Sequence, residues 1–146
     1  MDERAPVLIG VGQITQRDID PAQAKEPLDL MAGAAERAAE DAGLRRQALA
    51  DLDAVSVVNI LSWQYANPPG ALAQRFGARP ANLYYTTLGG NTPQWLVNET
   101  AAQIAAGRVH LALLAGVETV YTLQRARRAG VNLTWSAGEA PGHQRS

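Results

Sequence analysis

The sequence predicts an α/β fold, a mixed and mostly parallel sheet with helices packed on it. Three features lead there. Apolar, β-branched and aromatic runs at 6–12, 54–61, 83–87 and 109–117 alternate with helical patterns. The first and last runs are nearly continuous in apolar residues, the pattern of strands covered on both faces. Glycine or proline stands at most of the junctions, and strands alternating with helices are joined by crossovers that make neighbours parallel.

The elements follow in order. Pro6-Val7-Leu8-Ile9-Gly10-Val11-Gly12, an apolar run ended by glycine, is expected to be a buried strand. Thr15 to Lys25, with Asp18, Asp20 and Pro21, is expected to be a loop. Pro27 suits the first position of a helix, where its missing N–H costs nothing. From there Leu30, Met31, Ala34, Ala35, Ala38 and Ala42 recur at three- and four-residue spacing, with Glu36, Arg37, Glu40 and Asp41 opposite and Gly43 as the stop. Ala54 to Leu61 is a second strand. Asn67-Pro68-Pro69-Gly70 reads as a turn before a short helix from Ala71 to Phe76, ended by Gly77. Leu83 to Thr87 is a third strand, broken by Gly89-Gly90. Thr92-Pro93 then reads as an N-cap with a first-turn proline, opening a helix from Pro93 to about Ala106. Val109 to Val117 is the fourth strand. Beyond Glu118 the pattern decays into the basic cluster Arg125, Arg127 and Arg128. The stretch from Ala137 to Ser146, with Gly138, Pro141 and Gly142, shows no periodicity.

The helix from Pro93 to Ala106 is apolar around most of its circumference: Trp95, Leu96, Val97, Ala101, Ala102, Ile104, Ala105 and Ala106. Such a helix lies between two packed layers, and the sheet covers only one side. The other side is expected to be covered by a partner chain, most simply a second copy in a homo-oligomer, or by a further part of the same protein.

Composition narrows the chemistry. In 146 residues, 13 Lys+Arg against 14 Asp+Glu leave a formal net charge of -1, so the whole-protein field attracts neither nucleic acid nor an anionic membrane. With 0 Cys there is no disulfide, thiolate metal site or cysteine nucleophile. The two histidines, His110 and His143, cannot build a multi-histidine metal centre. No apolar run approaches the ~20 residues of a membrane span, and Met1-Asp2-Glu3-Arg4 does not open a signal peptide. A cytoplasmic location is the expectation.

Few residues suggest chemistry. Gly10-Val11-Gly12 lacks the third glycine of a dinucleotide fingerprint, since Thr15 stands in its place, and reads as a strand-ending turn. Gly89-Gly90-Asn91-Thr92-Pro93 joins a buried strand to a helix N-terminus, where free N–H groups and the macrodipole favour anions or developing negative charge. It is either a ligand-binding loop made by Gly89, Gly90, Asn91 and Thr92 or a tight turn that needs glycine. His110, inside an apolar strand pattern, reads as a core or edge histidine, and His143 has no evident partner. Arg125, Arg127 and Arg128 either meet a phosphate such as that of coenzyme A or form a solvated helix face.

Together these segments resemble the thiolase superfamily, in particular acetyl-CoA acetyltransferase-like proteins related to the sterol-carrier thiolases. The likeness runs from about Pro6 to Arg128. It is carried by Pro6 to Thr15, by Ala39-Glu40-Asp41-Ala42-Gly43-Leu44, and by Leu88-Gly89-Gly90-Asn91-Thr92-Pro93-Gln94. Ile104-Ala105-Ala106-Gly107 leading into Leu113-Leu114-Ala115-Gly116-Val117-Glu118 is its strongest part.

The resemblance implies an N-terminal half-domain over 5–128, incomplete relative to a full thiolase fold, followed by a loosely ordered tail over 129–146. It also implies that the helix after the glycine loop lies in a central layer between two half-domains. The family's nucleophilic cysteine falls at Gly90, which has nothing to acylate, and the small residue that follows it becomes Pro93. The histidines and second cysteine of the C-terminal half have no counterpart here. The expected function is therefore binding of CoA or an acyl-CoA without ordinary acyl transfer, with no catalytic residue, metal or covalently bound cofactor assigned. Two alternatives stand beside it. One is cysteine-independent, aldol-type carbon–carbon cleavage on an acyl-CoA, with Tyr84, Tyr85 or Tyr121 as the base. The other is a non-catalytic structural subunit.

Overall fold

Three strands, β1 (Ala54–Val57), β2 (Asn82–Tyr85) and β3 (Ala112–Ala115), form an all-parallel sheet in the order β2-β1-β3. They belong to a computed structural model that describes residues 4–17, 19–87 and 89–136. Val55 of the central strand stands opposite Leu83 on one side and Leu113 on the other. Helices α1 (Pro27–Asp41) and α2 (Pro68–Arg75) cover one face, α3 (Thr92–Ala105) lies on the other, and α4 (Val120–Ala129) follows β3.

The core lies between the sheet and the first two helices. Val55 and Val57 are fully buried there against Leu28, Met31 and Leu72. Each such side chain contributes about 1.5–3 kcal/mol by leaving water. The pleat turns Ala54 and Ser56 to the opposite face, where they line a pocket with Tyr84, Trp95 and Leu96. On α3 only Thr92 and Leu96 are buried, while Trp95 and Val97 remain 45% and 49% exposed. One side of this apolar helix therefore meets the sheet and the other stays open.

Several expectations need correction. The run 6–12 is extended but is not a strand. No ladder partner lies beside it, because a gap of about 620 Å³ separates it from the approach to β3. It is held instead by α1. A Cβ on Gly10 would lie 2.2 Å from the Ala38 carbonyl oxygen, and one on Gly12 would lie 2.2 Å from that of Ala34. This close approach needs glycine at both positions, and it leaves Val7, Ile9 and Val11 facing water. The expected turn Asn67-Pro68-Pro69-Gly70 is the start of α2: the Asn67 side chain accepts the Gly70 N–H at 3.2 Å, and the two prolines occupy positions without helical donors. β1 ends sooner than predicted because the N–H groups of Asn59 to Ser62 leave the ladder for side chains, and β3 begins later because those of His110 and Leu111 donate to the Asp53 side chain. The decaying pattern after Glu118 is the helix α4.

His110 is not a core histidine, since its side chain is 83% exposed. Its backbone N–H and that of Leu111 donate to the two oxygens of Asp53 at 2.9 and 3.0 Å, fastening the entry of β3 to that of β1. Burial pushes the Asp53 carboxyl up, but these N–H donors outweigh it and hold the group below the ordinary carboxylate range. A folded-state value below the unfolded one means that the stabilisation is present above the unfolded value. It is lost as pH falls through the folded one. Urea unfolding below about pH 4 is expected to show this loss, and Asp53→Asn should flatten that part of the profile. A variant with the same acid limb as the parent would show that the Asp53 bonds are not stabilising.

Residues 131–136 return to the start of α1. The Trp63 indole donates to the Ser136 carbonyl at 2.7 Å, Trp135 donates to the Ala24 carbonyl, and the two rings meet edge to face at 5.0 Å. The Ser136 N–H and hydroxyl both donate to Glu26, as does the buried Tyr65 hydroxyl, which also accepts the Leu28 N–H. Burial, with the Glu26 carboxylate beside it, raises the Tyr65 phenol well above its usual range. The rest of the expected tail, 137–146 with His143, lies outside the described residues. None of the described helices is long and apolar enough to cross a membrane.

Candidate functional site

In parallel sheets, ligands collect beyond the carboxyl ends of the strands, and the polar groups of this chain converge there. The carboxylate of Glu118 accepts the N–H of Leu61 at 2.8 Å and that of Ser62 at 3.0 Å, fastening the exit of β3 to that of β1. Ser62 Oγ accepts both the N–H and the hydroxyl of Thr119. On the other side of β1, the Asn59 N–H donates to Thr86 Oγ1 and the Ile60 N–H donates to the Tyr85 hydroxyl. A cavity of about 140 Å³ opens among Asn59, Ile60, Tyr65, Tyr85 and Thr86.

The glycine loop leaves the same edge. Gly89, Gly90 and Asn91 are exposed and Thr92 is buried at the first position of α3. No side chain caps this helix, Pro93 has no N–H, and the Thr92 N–H already donates to the Gly89 carbonyl at 3.2 Å. Among the described residues, the backbone N–H groups of Gly90, Asn91 and Gln94 have no hydrogen-bond partner. Gly90 sits at the helix start with nothing within 4 Å of a Cβ built on it, and its φ is not among the positive ones.

The three tyrosines expected as bases do not meet at this loop. Tyr84 packs against Trp95 on the α3 face at 5.5 Å, whereas Tyr85 points to the opposite face, towards Ile60. Tyr121, in the first turn of α4, lies under the guanidinium of Arg17. Of the expected basic cluster, Arg125 turns back onto the loop carbonyls of Arg17 and Ile19, and Arg127 and Arg128 remain on the exposed last turn.

No protein-family model matches the chain, and no curated protein does. Among solved structures, a monomeric SCP2-thiolase like protein type 1 from Mycobacterium smegmatis is similar to it at 32% identity and a TM-score of 0.69. That match covers 82% of this chain and 24% of that one. This chain has the thiolase fold. The 3-oxoacyl-[acyl-carrier-protein] synthase III of Aquifex aeolicus VF5 shares the fold at 18% identity and a TM-score of 0.57, over 80% of this chain and 35% of that one. The thiolase-like chain thus spans about a quarter of the length of the first relative and a third of the second, and it is a partial fold.

The carboxylates that fasten this thiolase-like sheet were not recognised as functional in the sequence. Glu118 closes the stretch Leu113-Leu114-Ala115-Gly116-Val117-Glu118, and the two N–H donors that its carboxylate accepts lie 56 and 57 residues away. The pairing of Arg17 with Tyr121 left no local signal at all.

Proposed function

We propose that this thiolase-like chain binds CoA or an acyl-CoA and carries out no cysteine-dependent acyl transfer. The observation that carries the reading is Gly90. The position that the resemblance assigns to the nucleophile stands at the uncapped start of α3, in open space, with no thiol to acylate. The free N–H groups of Gly90 and Asn91 suit a carbonyl or phosphate oxygen of such a ligand. Calorimetric titration with CoA and acetyl-CoA is expected to show saturable binding, with an unchanged protein mass afterwards. A covalent acyl adduct, or no binding of either compound, overturns the reading.

The geometry also predicts how position 90 tolerates change. Gly90→Cys is expected to shift stability by no more than about 0.5 kcal/mol, because the new Cβ meets nothing. Its thiol, at a helix N-terminus, should react with a disulfide reagent faster than the same thiol in the urea-unfolded chain. An unreactive thiol in the folded variant would show that the loop is closed.

A second reading concerns the open side of α3. We infer that Trp95 and Val97 pack against polypeptide beyond that spanned here, since the first relative is about four times longer than the aligned part. The chain by itself is then expected to associate as its concentration rises. A single monomeric boundary in sedimentation at all concentrations would overturn this.

A further inference from the structure

A cleft of about 390 Å³ lies between the loop 12–17 and the start of α4, beside the carboxyl end of β3. Arg17 and Tyr121 both line it. The Arg17 guanidinium stands 5.3 Å from the centre of the Tyr121 ring, and that of Arg125 stands 5.9 Å from the same centre. Two like charges therefore share one aromatic ring.

Arg125 is fixed in place, because its Nη1 donates to the Arg17 carbonyl at 2.5 Å and the Ile19 carbonyl at 2.6 Å. Among the described residues neither guanidinium pairs with a carboxylate: the arginine ion pairs found are Arg46–Glu36 and Arg75–Asp29. Glu118 also lines the cleft, and its carboxylate, which accepts the Leu61 and Ser62 N–H groups, sets one negative charge against the two guanidinium charges. The ring offsets part of the repulsion between the two cations, and a planar fork of unused N–H donors remains on Arg17. Among the described residues these two cations are ion-paired with no carboxylate, and the cleft is lined by the single carboxylate of Glu118, so one guanidinium charge is left for an anion to complete.

We propose that this cleft binds an oxyanion, a phosphate or carboxylate group, that lies against Arg17 and is balanced by Arg125. The inference does not rest on the CoA reading. Gly89 to Thr92 take no part in it, and the ligand it predicts need carry no thioester.

The test is a titration of the isotopically labelled whole chain followed by NMR, with inorganic phosphate, with acetate, and with chloride at matched ionic strength. Saturable shifts of the Arg17 Nε–H and the Tyr121 amide with phosphate or acetate, and not with chloride, are expected. The tighter of the two identifies the group. Arg17→Gln should weaken that binding by about tenfold or more. Arg127→Gln, on the exposed last turn of α4, should leave it unchanged. Dispersed amide spectra identify which variants are folded, and Arg17→Lys, which keeps the charge and loses the fork, should bind with intermediate affinity. Shifts that follow ionic strength alone overturn the proposal, as does equal affinity in a folded Arg17→Gln.

Discussion

Replacing Leu72 by alanine is expected to cost about 2–5 kcal/mol, the range for removing a buried leucine and leaving a cavity. Leu72 is 0% exposed and stands where α2 meets the sheet, in one cluster with Met31, Val55 and Val57. The sheet has three strands of four residues each, so little else compensates for a hole at its centre. Against a typical domain stability of about 5–15 kcal/mol, this loss is a large fraction of the whole. Urea unfolding followed by circular dichroism measures it. Leu72→Met, which conserves volume, should cost less than about 1.5 kcal/mol. Equal, small losses in both variants would mean that α2 is not seated on the sheet as described.

Removing the Glu118 carboxylate comes next in size. Glu118→Ala takes away the acceptor of two N–H groups at once. An orphaned buried donor costs about 1–3 kcal/mol, and water reaches the exposed Leu61 more easily than Ser62. A loss of about 1.5–3 kcal/mol is therefore expected, with Glu118→Gln intermediate because one oxygen remains to accept. Amide hydrogen exchange locates the effect. Leu61 and Ser62 should lose protection in Glu118→Ala while Val55 and Val57 keep theirs. Unchanged protection at Leu61 and Ser62 would show that Glu118 does not hold the two strand exits together.

Much of the layered fold was legible in the sequence because its signals are local. Pro27 with its apolar three- and four-residue spacing marked α1, and Thr92-Pro93 marked the start of α3 to within a residue. The apolar circumference of α3 marked a helix of which the sheet covers only one side: Leu96 is buried, while Trp95 and Val97 are exposed. Gly89-Gly90 was legible as the break between β2 and that helix for the same reason. The failures came where a local signal had two outcomes. Val7 to Val11 carry strand character, but a strand also needs a neighbour to pair with, and across a 620 Å³ gap there is none. Asn67-Pro68-Pro69 suits a turn and a helix start equally, and the packing of Leu72 selected the helix.

Backbone preference belongs to single residues and their near neighbours. For that reason the order of amino acids was enough to set where α1 and α3 begin, where glycine stops them, and that no thiol stands at position 90. Which strands pair, that Asp53 receives the His110 N–H across 57 residues, and that Arg17 and Arg125 meet on one tyrosine arose only in the folded chain. Those outcomes depend on which surfaces are brought together and dried, and no stretch of sequence carries that information alone.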